Sequence, residues 1–218
     1  MSRVPRHHPS EDMLLRHAAG RLPAVQSLVV ATHLPFCAAC RAAIRFGETL
    51  GGALLADMPD TELTADVLTR ALMRLDMPAR AAAADMEGAE LAPGVPWPDA
   101  LRGFSRRSWR WAAPGISLIA LDVPGMARRE LAYLLRVAPG KSLPEHGHDG
   151  WELTCVLSGR FIDATGEYGP GDLAVMDTDK DHQPVTASGD DCICLIACAA
   201  PLRMRGLLAR LIQPLTGV

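Results

Sequence analysis

The sequence lacks the long apolar run that a signal peptide or a membrane span requires. Its N-terminal stretch, MSRVPRHHPSEDMLLRH, contains no apolar core. No uncharged apolar segment reaches the roughly 20 residues that cross a bilayer. We therefore expect a cytoplasmic protein. In that reducing compartment, closely spaced Cys residues indicate metal or redox chemistry rather than structural disulfides.

An excess of positive charge is also missing. The chain has 22 Lys and Arg against 25 Asp and Glu, and neither half is basic, which argues against a nucleic-acid binder held by phosphate contacts. There is no internal repeat. The sequence also lacks a nucleophile–base motif, and this second absence disfavours an enzyme. With 218 residues, of which 49% are hydrophobic, the chain can form one large domain or two small ones with a sizeable core.

The first ~80 residues have the apolar spacing and the caps of helices. Ser10 is predicted to cap a first helix, Pro23 to open a second that runs to His33, and a third begins near Cys37. Asp60 is predicted to cap a fourth helix, TELTADVLTRALMRLD. The apolar stripe of this last helix, typical of a buried core face, consists of Leu63, Val67, Leu68, Ala71, Leu72 and Leu75.

The remainder of the chain has a different character. Residues 78–99 are rich in Ala, Pro and Gly without a periodic apolar face, which predicts a linker. From about Ala100, short apolar runs bounded by Gly, Pro and Asp predict an all-β sandwich or barrel. The final RMRGLLARLIQPL returns to helical spacing. The expected fold is α+β with two domains: a helical domain over 1–77 and a β domain over 100–218.

A first group of candidate ligands lies in the stretch ATHLPFCAACRAA, where His33 precedes Cys37 and Cys40. Zinc prefers four tetrahedral ligands drawn from thiolate and imidazole. A helix that starts at the Cys pair favours thiolate over thiol, through its dipole and its free amide groups. The candidates for a fourth ligand are His7, His8 and His17.

Three other interpretations of this group stay open on spacing alone. A thioredoxin-like redox pair is one, although that motif follows a strand and the surroundings here are helical. Buried apolar packing is another, because free Cys is among the most buried residue types. In the third, the adjacent His7 and His8 are part of a frayed tail.

A second group of candidate ligands lies in GKSLPEHGHDGWELTCVLSG, which matches the first cupin motif, G-x5-H-x-H-x3-E-x6-G. His146 and His148, two apart on an extended segment, point to the same side, and Glu152 lies a further even number of positions on. A looser second motif, GEYGPGDLAVMDTDKDH, ends at His182. Three His and one carboxylate suit zinc, iron, manganese or nickel. The alternatives are a surface loop with incidental His and a purely structural metal.

Over nearly its full length the chain resembles ChrR-type anti-sigma factors, in which a zinc-binding anti-sigma domain is fused to a cupin domain. The resemblance is carried by HHPSEDMLLRHAAGRLP, SLVVATHLPFCAACRAA, the cupin motif and CICL near the end. It implies an N-terminal zinc-binding helical bundle and a C-terminal cupin β-barrel, or jelly roll. The zinc ligands that it implies are His8, His33, Cys37 and Cys40.

The resemblance also implies a function. The helical domain would bind the promoter-binding regions of an extracytoplasmic-function sigma factor and keep it from RNA polymerase. The cupin would regulate release on oxidative stress of the singlet-oxygen type. Two rivals remain, a dioxygenase-like cupin metalloenzyme with a helical appendage and a sensor of zinc level alone. The candidate partner contacts are Leu63, Val67, Leu68, Leu72 and Leu75.

The other four Cys fall in the β half of the chain. Cys192, Cys194 and Cys198 alternate along DCICLIAC and are predicted to share one face of a strand, whereas Cys155 alternates with Leu residues. Buried apolar packing is the favoured interpretation of each. The sharper hypothesis is that Cys192 and Cys194 sense oxidants.

Overall fold

The computed structural model describes residues 4–75, 88–104, 108–176 and 182–204. An N-terminal group of helices is followed by a C-terminal group of antiparallel strands, as the sequence predicts. The α-helices among the described residues are α1 (Glu11–Ala18), α2 (Ala24–His33), α3 (Ala38–Ala56) and α4 (Val67–Leu75).

The predicted starts of the first three helices are confirmed. The hydroxyl of Ser10 accepts the amide of Met13 and caps α1, Pro23 precedes α2, and Cys37 caps α3. The predicted start of the fourth helix after Asp60 is wrong, since α4 begins at Val67. Residues 59–64 have no regular structure, and a turn closed by the amide of Val67 on the carbonyl of Thr64 at 3.0 Å precedes the helix. Thr61 and Thr64 are β-branched residues of low helix propensity, which disfavours an earlier start.

The strands follow the short apolar runs of the sequence. They are β1 (Glu90–Ala92), β2 (Val95–Pro96), β3 (Arg110–Ala113), β4 (Ile116–Ala120), β5 (Leu131–Val137), β6 (His146–Gly147), β7 (Glu152–Ser158), β8 (Phe161–Asp163), β9 (Gly166–Tyr168), β10 (Leu173–Met176), β11 (Val185–Thr186), β12 (Cys192–Cys198) and β13 (Arg203–Met204).

Two sheets pack face to face. The larger has the order β10-β7-β12-β5-β4-β3 and the smaller has the order β11-β8-β9, while β6 pairs with β13. Phe161 and Tyr168 of the smaller sheet share a buried cluster with Tyr133, Val156 and other residues of the larger one. The interior between the sheets is therefore one apolar core, into which alternate residues of each strand point.

The opposite face of the larger sheet is covered by α2. Val25, Leu28 and Val29 of this helix belong to the same buried cluster as Leu153 of β7 and Leu195 of β12. The helical and β parts of the chain thus share a hydrophobic core.

The second half of the predicted linker also packs on this face. It contains the β1–β2 hairpin and a short 3-10 turn, Asp99–Leu101. Leu91 and Trp97 are buried in the cluster with α2, and the indole of Trp97 donates to the carbonyl of Leu101 at 3.0 Å. Residues 76–87, and the predicted C-terminal helix from residue 205 onward, lie outside the described residues.

Among the described residues, no helix is both long enough and apolar enough to cross a membrane.

Candidate metal centres

Four side chains from the helical part converge on one point. The Nε2 of His33 lies 3.3 Å from the Sγ of Cys40. The Nδ1 of His8 lies 3.4 Å from the Sγ of Cys37 and 3.5 Å from that of Cys40. Their four donor atoms lie within 4.8 Å of one another. The structure thus brings together all four residues that the sequence singles out.

The spacing of these atoms fits a tetrahedral zinc ion. With Zn–N bonds of about 2.1 Å and Zn–S bonds of about 2.3 Å, the tetrahedral angle separates nitrogen and sulfur by about 3.6 Å. The N–S distances of 3.3 to 3.5 Å are close to that value. His33 and the two Cys are buried and His8 is exposed, so the centre lies at the edge of the protein.

Local structure places three of these residues. Cys37 is the N-cap of α3 and its Sγ accepts the amide of Cys40 at 3.4 Å. His33 is the last residue of α2, and a three-residue 3-10 turn joins it to the Cys pair. The guanidinium of Arg41 donates to the carbonyl of Leu34 at 2.7 Å and holds that turn. Burial lowers the pKa of His33, which favours the neutral imidazole that binds a metal.

The other two candidates for the fourth ligand lie elsewhere. The ring of His7 packs on Tyr168 with centroids 4.3 Å apart, and the Nδ1 of His17 is 2.9 Å from the hydroxyl of Ser27. Neither belongs to the group of donor atoms around the Cys pair. His8 is therefore the one of the three with the geometry of a ligand.

A second cluster lies in the interior of the β part. The Nε2 of His182 is 3.1 Å from the Nε2 of His148 and 3.0 Å from the Nε2 of His146, and all three residues are buried. Two nitrogens bound at right angles, each about 2.1 Å from one ion, lie about 3.0 Å apart. The three imidazoles thus have the spacing of neighbouring ligands around a divalent transition metal.

Glu152 lies beside this cluster rather than inside the group of three nitrogens. Its Oε2 is 3.5 Å from the Nδ1 of His148, and it accepts hydrogen bonds from the hydroxyl of Thr154 at 3.2 Å and the thiol of Cys198 at 3.5 Å. Burial raises the pKa of Glu152, although the nearby His146 opposes this shift. A divalent cation at the three imidazoles would favour the carboxylate form of Glu152.

Two partners orient the imidazoles of this second cluster. The Nδ1 of His146 donates to the carbonyl of Pro144 at 2.8 Å, and the Nδ1 of His182 lies 3.1 Å from the carboxylate of Asp163. Each contact leaves Nε2 as the nitrogen that faces the cluster. Burial opposes the charge of Asp163, but hydrogen bonds from Thr165 and His182 outweigh it and lower the pKa of its carboxyl.

A cavity of about 160 Å³ adjoins the cluster and extends along the interior of the β part. His146, Glu152 and His182 lie at its polar end, and Cys192 and Cys194 also line it, among mainly apolar side chains. A cavity of about 150 Å³ holds a molecule as large as benzene. A small apolar molecule can therefore occupy a position next to both the cluster and the two thiols.

The Cys residues of the β part are buried, as predicted. Cys192, Cys194 and Cys198 share the face of β12 that points between the sheets, whereas Cys155 points to the opposite core beneath α2. The Sγ atoms of Cys192 and Cys194 are 3.7 Å apart.

Sequence reasoning missed the residues that orient the ligands. Asp163 lies 19 positions before His182, at the end of β8, and no motif marks it. Gly171 was noted only as part of the second motif, yet its carbonyl lies 2.6 Å from the Nδ1 of His33, 138 positions away. A buried carboxylate and a glycine before a strand carry no signal of their own in a single sequence.

Comparison with known proteins agrees with this architecture. The family described as "ChrR Cupin-like domain" matches residues 99–200. The chain is 38% identical, over 96% of its length and 97% of the relative's, to the protein named anti-sigma-E factor ChrR of Cereibacter sphaeroides.

A solved structure is similar as well. In the crystal structure of Rhodobacter sphaeroides SigE in complex with the anti-sigma ChrR, a chain with 37% identity matches with a TM-score of 0.71. The match covers 88% of this chain and 98% of that one. The expectation of a regulator rather than an enzyme agrees with these relatives, and the β part is a cupin-like jelly roll. The chain belongs to the ChrR family of anti-sigma factors.

Proposed function

We propose that this protein is a cytoplasmic anti-sigma factor that binds an extracytoplasmic-function sigma factor, keeps it from RNA polymerase and releases it on oxidative stress of the singlet-oxygen type. Residues 1–77 form the inhibitory helical domain, residues 78–99 the connection and residues 100–218 the regulatory cupin. The helical centre holds zinc through His8, His33, Cys37 and Cys40. The cupin centre holds zinc or another divalent transition metal through His146, His148, Glu152 and His182.

The observation that carries the proposal is the exposed apolar surface of α3 and α4. Leu68 and Leu72 on α4 are 69% and 52% exposed, and no residue of this helix is buried. The C-terminal half of α3 is equally open, since Phe46 and Leu54 are 73% and 63% exposed. Monomeric proteins rarely leave so many large apolar side chains of neighbouring helical turns in water, which indicates surfaces for a partner on both helices.

A sigma factor is the occupant that the relatives support. The similar solved structure is a complex between SigE and the anti-sigma ChrR. Amphipathic helices bind partners through apolar residues three and four positions apart, which is the spacing of Leu68 and Leu72. Of the predicted contact residues, Leu63 and Leu75 are exposed as well, and Val67 is partly exposed.

The metal centres fix the geometry of the helical part and offer the oxidant a site of reaction. Zinc at the helical centre would tie the N-terminal segment to the start of α3 and add its binding free energy to the folding of a small bundle. A small oxidant in the cavity of the β part would lie next to both the cupin cluster and the thiols of Cys192 and Cys194. A signal there acts on the sigma factor only if it changes the relative stability of the free and bound states.

The test is co-expression of the chain with its sigma factor, followed by co-purification, metal analysis and transcription with purified RNA polymerase. We expect a stable complex that inhibits transcription. Leu68→Glu combined with Leu72→Glu should abolish co-purification, while Trp111→Glu, at an exposed cupin position, should leave it unchanged. A double variant that still binds and inhibits would contradict the proposed surface.

Release is tested with the purified complex. Exposure to singlet oxygen is expected to release the sigma factor and restore transcription. Addition or chelation of zinc without an oxidant is not expected to do so, whereas a protein that senses only the zinc level would respond to it. Sigma release that follows zinc occupancy and ignores the oxidant would contradict the proposed signal.

A further inference from the structure

The carboxylate of Asp172, in the cupin, holds the N-terminal segment that carries His8. It is fully buried and accepts hydrogen bonds from the amides of Arg6 at 2.5 Å and His7 at 3.0 Å, as well as from Gly169 at 2.8 Å. Arg6 and His7 immediately precede His8 in the chain. The backbone that delivers this ligand is therefore fixed by a side chain from the other part of the molecule.

The preceding residue, Gly171, holds a second ligand of the same centre. Its carbonyl oxygen accepts a hydrogen bond from the Nδ1 of His33 at 2.6 Å, which leaves the Nε2 of that ring facing Cys40. A backbone carbonyl on the far nitrogen of a ligating His fixes the ring orientation and the tautomer.

Gly171 also fits closely against the helical part. Its φ of +85° is one that residues with a side chain rarely adopt. A Cβ placed there would lie 2.5 Å from the Cβ of Phe36 and 2.8 Å from the Cγ of Pro5. Phe36 precedes Cys37, so this contact fixes the distance between the cupin and the Cys pair.

Backbone hydrogen bonds to strand β7 hold Gly171 and Asp172 in place. The amide of Gly171 donates to the carbonyl of Val156 at 2.8 Å, and the amide of Val156 donates to the carbonyl of Asp172 at 3.0 Å. The next residue, Leu173, donates its amide to the carbonyl of His7 at 3.1 Å. Strand β10 then runs four residues to Met176, which lies opposite Glu152 beside the cupin cluster.

We infer that the helical metal centre is a site built by both parts of the chain, in which Gly171 and Asp172 of the cupin are positioning residues for His33 and His8. The cupin thereby sets the metal affinity of the centre that organises the helical domain. Loss of such an outer partner lowers metal affinity by about 10- to 100-fold. The inference rests on the metal in the proposed function and is independent of the identity of the sigma factor.

The test is a titration of the full-length protein with cobalt(II), whose thiolate charge-transfer absorption reports on the Cys-containing centre. Asp172→Asn replaces one of the two accepting oxygens by a donating NH2 group, so the amides of Arg6, His7 and Gly169 can no longer all be accepted. Gly171→Ala introduces the obstructed Cβ. Both are expected to weaken cobalt binding about 10- to 100-fold. Asp191→Asn, which removes an ion pair with Arg136 on the cupin surface, is the matched control and should stay within about twofold of the unmodified protein.

A second measurement uses no change in the cupin. Hydrogen exchange at the Leu173 amide is compared between the metal-loaded protein and Cys40→Ser, which cannot complete the centre. Exchange is expected to accelerate in Cys40→Ser, because the N-terminal segment that accepts this amide is then held by Asp172 alone and no longer by the metal as well. This measurement decides the inference if Asp172→Asn and Gly171→Ala fail to fold.

The outcomes separate the two proposals. Cobalt affinities of both folded variants within about twofold of the unmodified protein, or unchanged exchange at Leu173 in Cys40→Ser, would overturn the two-part site and leave the zinc centre standing. Absence of the thiolate absorption in the unmodified protein would overturn the proposed metal itself, and the inference with it.

Discussion

The sulfur of Cys37 accepts the backbone amide of Cys40 at 3.4 Å, at the first turn of α3. The start of a helix stabilises negative charge on both sulfurs. Burial nevertheless raises the pKa of Cys40 to about 12 in the absence of a metal, and the neighbouring Cys37 adds to the shift. Cys40 is therefore a thiol when no metal is bound and a thiolate when a metal is bound. Metal binding must then release the proton of this thiol.

We predict that zinc binding at this centre strengthens with pH by at least about tenfold per unit between pH 7 and pH 9. Cys40 stays protonated throughout this range until zinc displaces the proton, and each unit of pH lowers the competing proton concentration tenfold. The depressed pKa of His33 keeps that ligand neutral here. Competition with a chelator measures the affinity, and calorimetry in buffers of different ionisation enthalpy counts the protons. A flat affinity with no proton release would contradict the prediction.

The carboxylate of Asp163 is predicted to raise the metal affinity of the cupin centre. Asp163→Asn replaces the charged partner of His182 by a neutral amide, and we expect metal affinity at the three-His cluster to fall about 10- to 100-fold. The helical centre should keep its affinity, because Asp163 contacts none of its four ligands among the described hydrogen bonds. The protein is dialysed against increasing concentrations of a chelator, and the number of metal ions that remain bound per chain shows whether one centre or both have lost affinity. Equal losses from both would indicate unfolding rather than a local effect.

The exposed face of α3 should matter for binding and not for folding. Phe46→Glu is expected to change the free energy of unfolding by less than about 0.5 kcal/mol, as at other exposed positions, yet to weaken sigma binding more than tenfold. Ile44→Ala, at a buried position of the same helix, should instead cost about 2–5 kcal/mol. Thermal unfolding and a binding titration on each variant provide the comparison. Normal sigma binding by Phe46→Glu would remove α3 from the interface.

The packing of α2 on the large sheet predicts that the two parts of the chain unfold together. All four Trp residues, at positions 97, 109, 111 and 151, lie outside the helices, so Trp fluorescence follows the β part and the segment that packs on α2. Leu28→Ala on α2 is expected to lower the stability followed by Trp fluorescence by about 2–5 kcal/mol. Helical circular dichroism should show the same midpoint. A Trp transition unaffected by Leu28→Ala would show independent domains.

Motif spacing predicted more of the metal centres than of their surroundings. His33, Cys37 and Cys40, like His146 and His148, were predicted from spacing, because ligands close in sequence must alternate or follow a helix turn to reach one ion. His8 was chosen among three candidates through the family resemblance. The contacts of Gly171 and Asp172 with the N-terminal segment depend on how α2 packs on β7 and β12, which no local pattern specifies. The start of α4 was mispredicted because capping and apolar periodicity indicate where a helix can begin, whereas a turn between Thr64 and Val67 sets where this one does.

The thiols of Cys192 and Cys194 provide the sharpest test of oxidant sensing. They are buried side by side on β12, which pairs with β5 on one side and β7 on the other, so a change at this pair alters the centre of the sheet. If they are the sensor, Cys192→Ser combined with Cys194→Ser should hold the sigma factor under singlet oxygen, while the unmodified protein releases it. Cys155→Ala, on the opposite face of the sheet and away from the cavity that Cys192 and Cys194 line, is the control and should release normally. Oxidant-triggered release that persists in the double Ser variant would eliminate the thiols and leave the cupin metal as the point of attack.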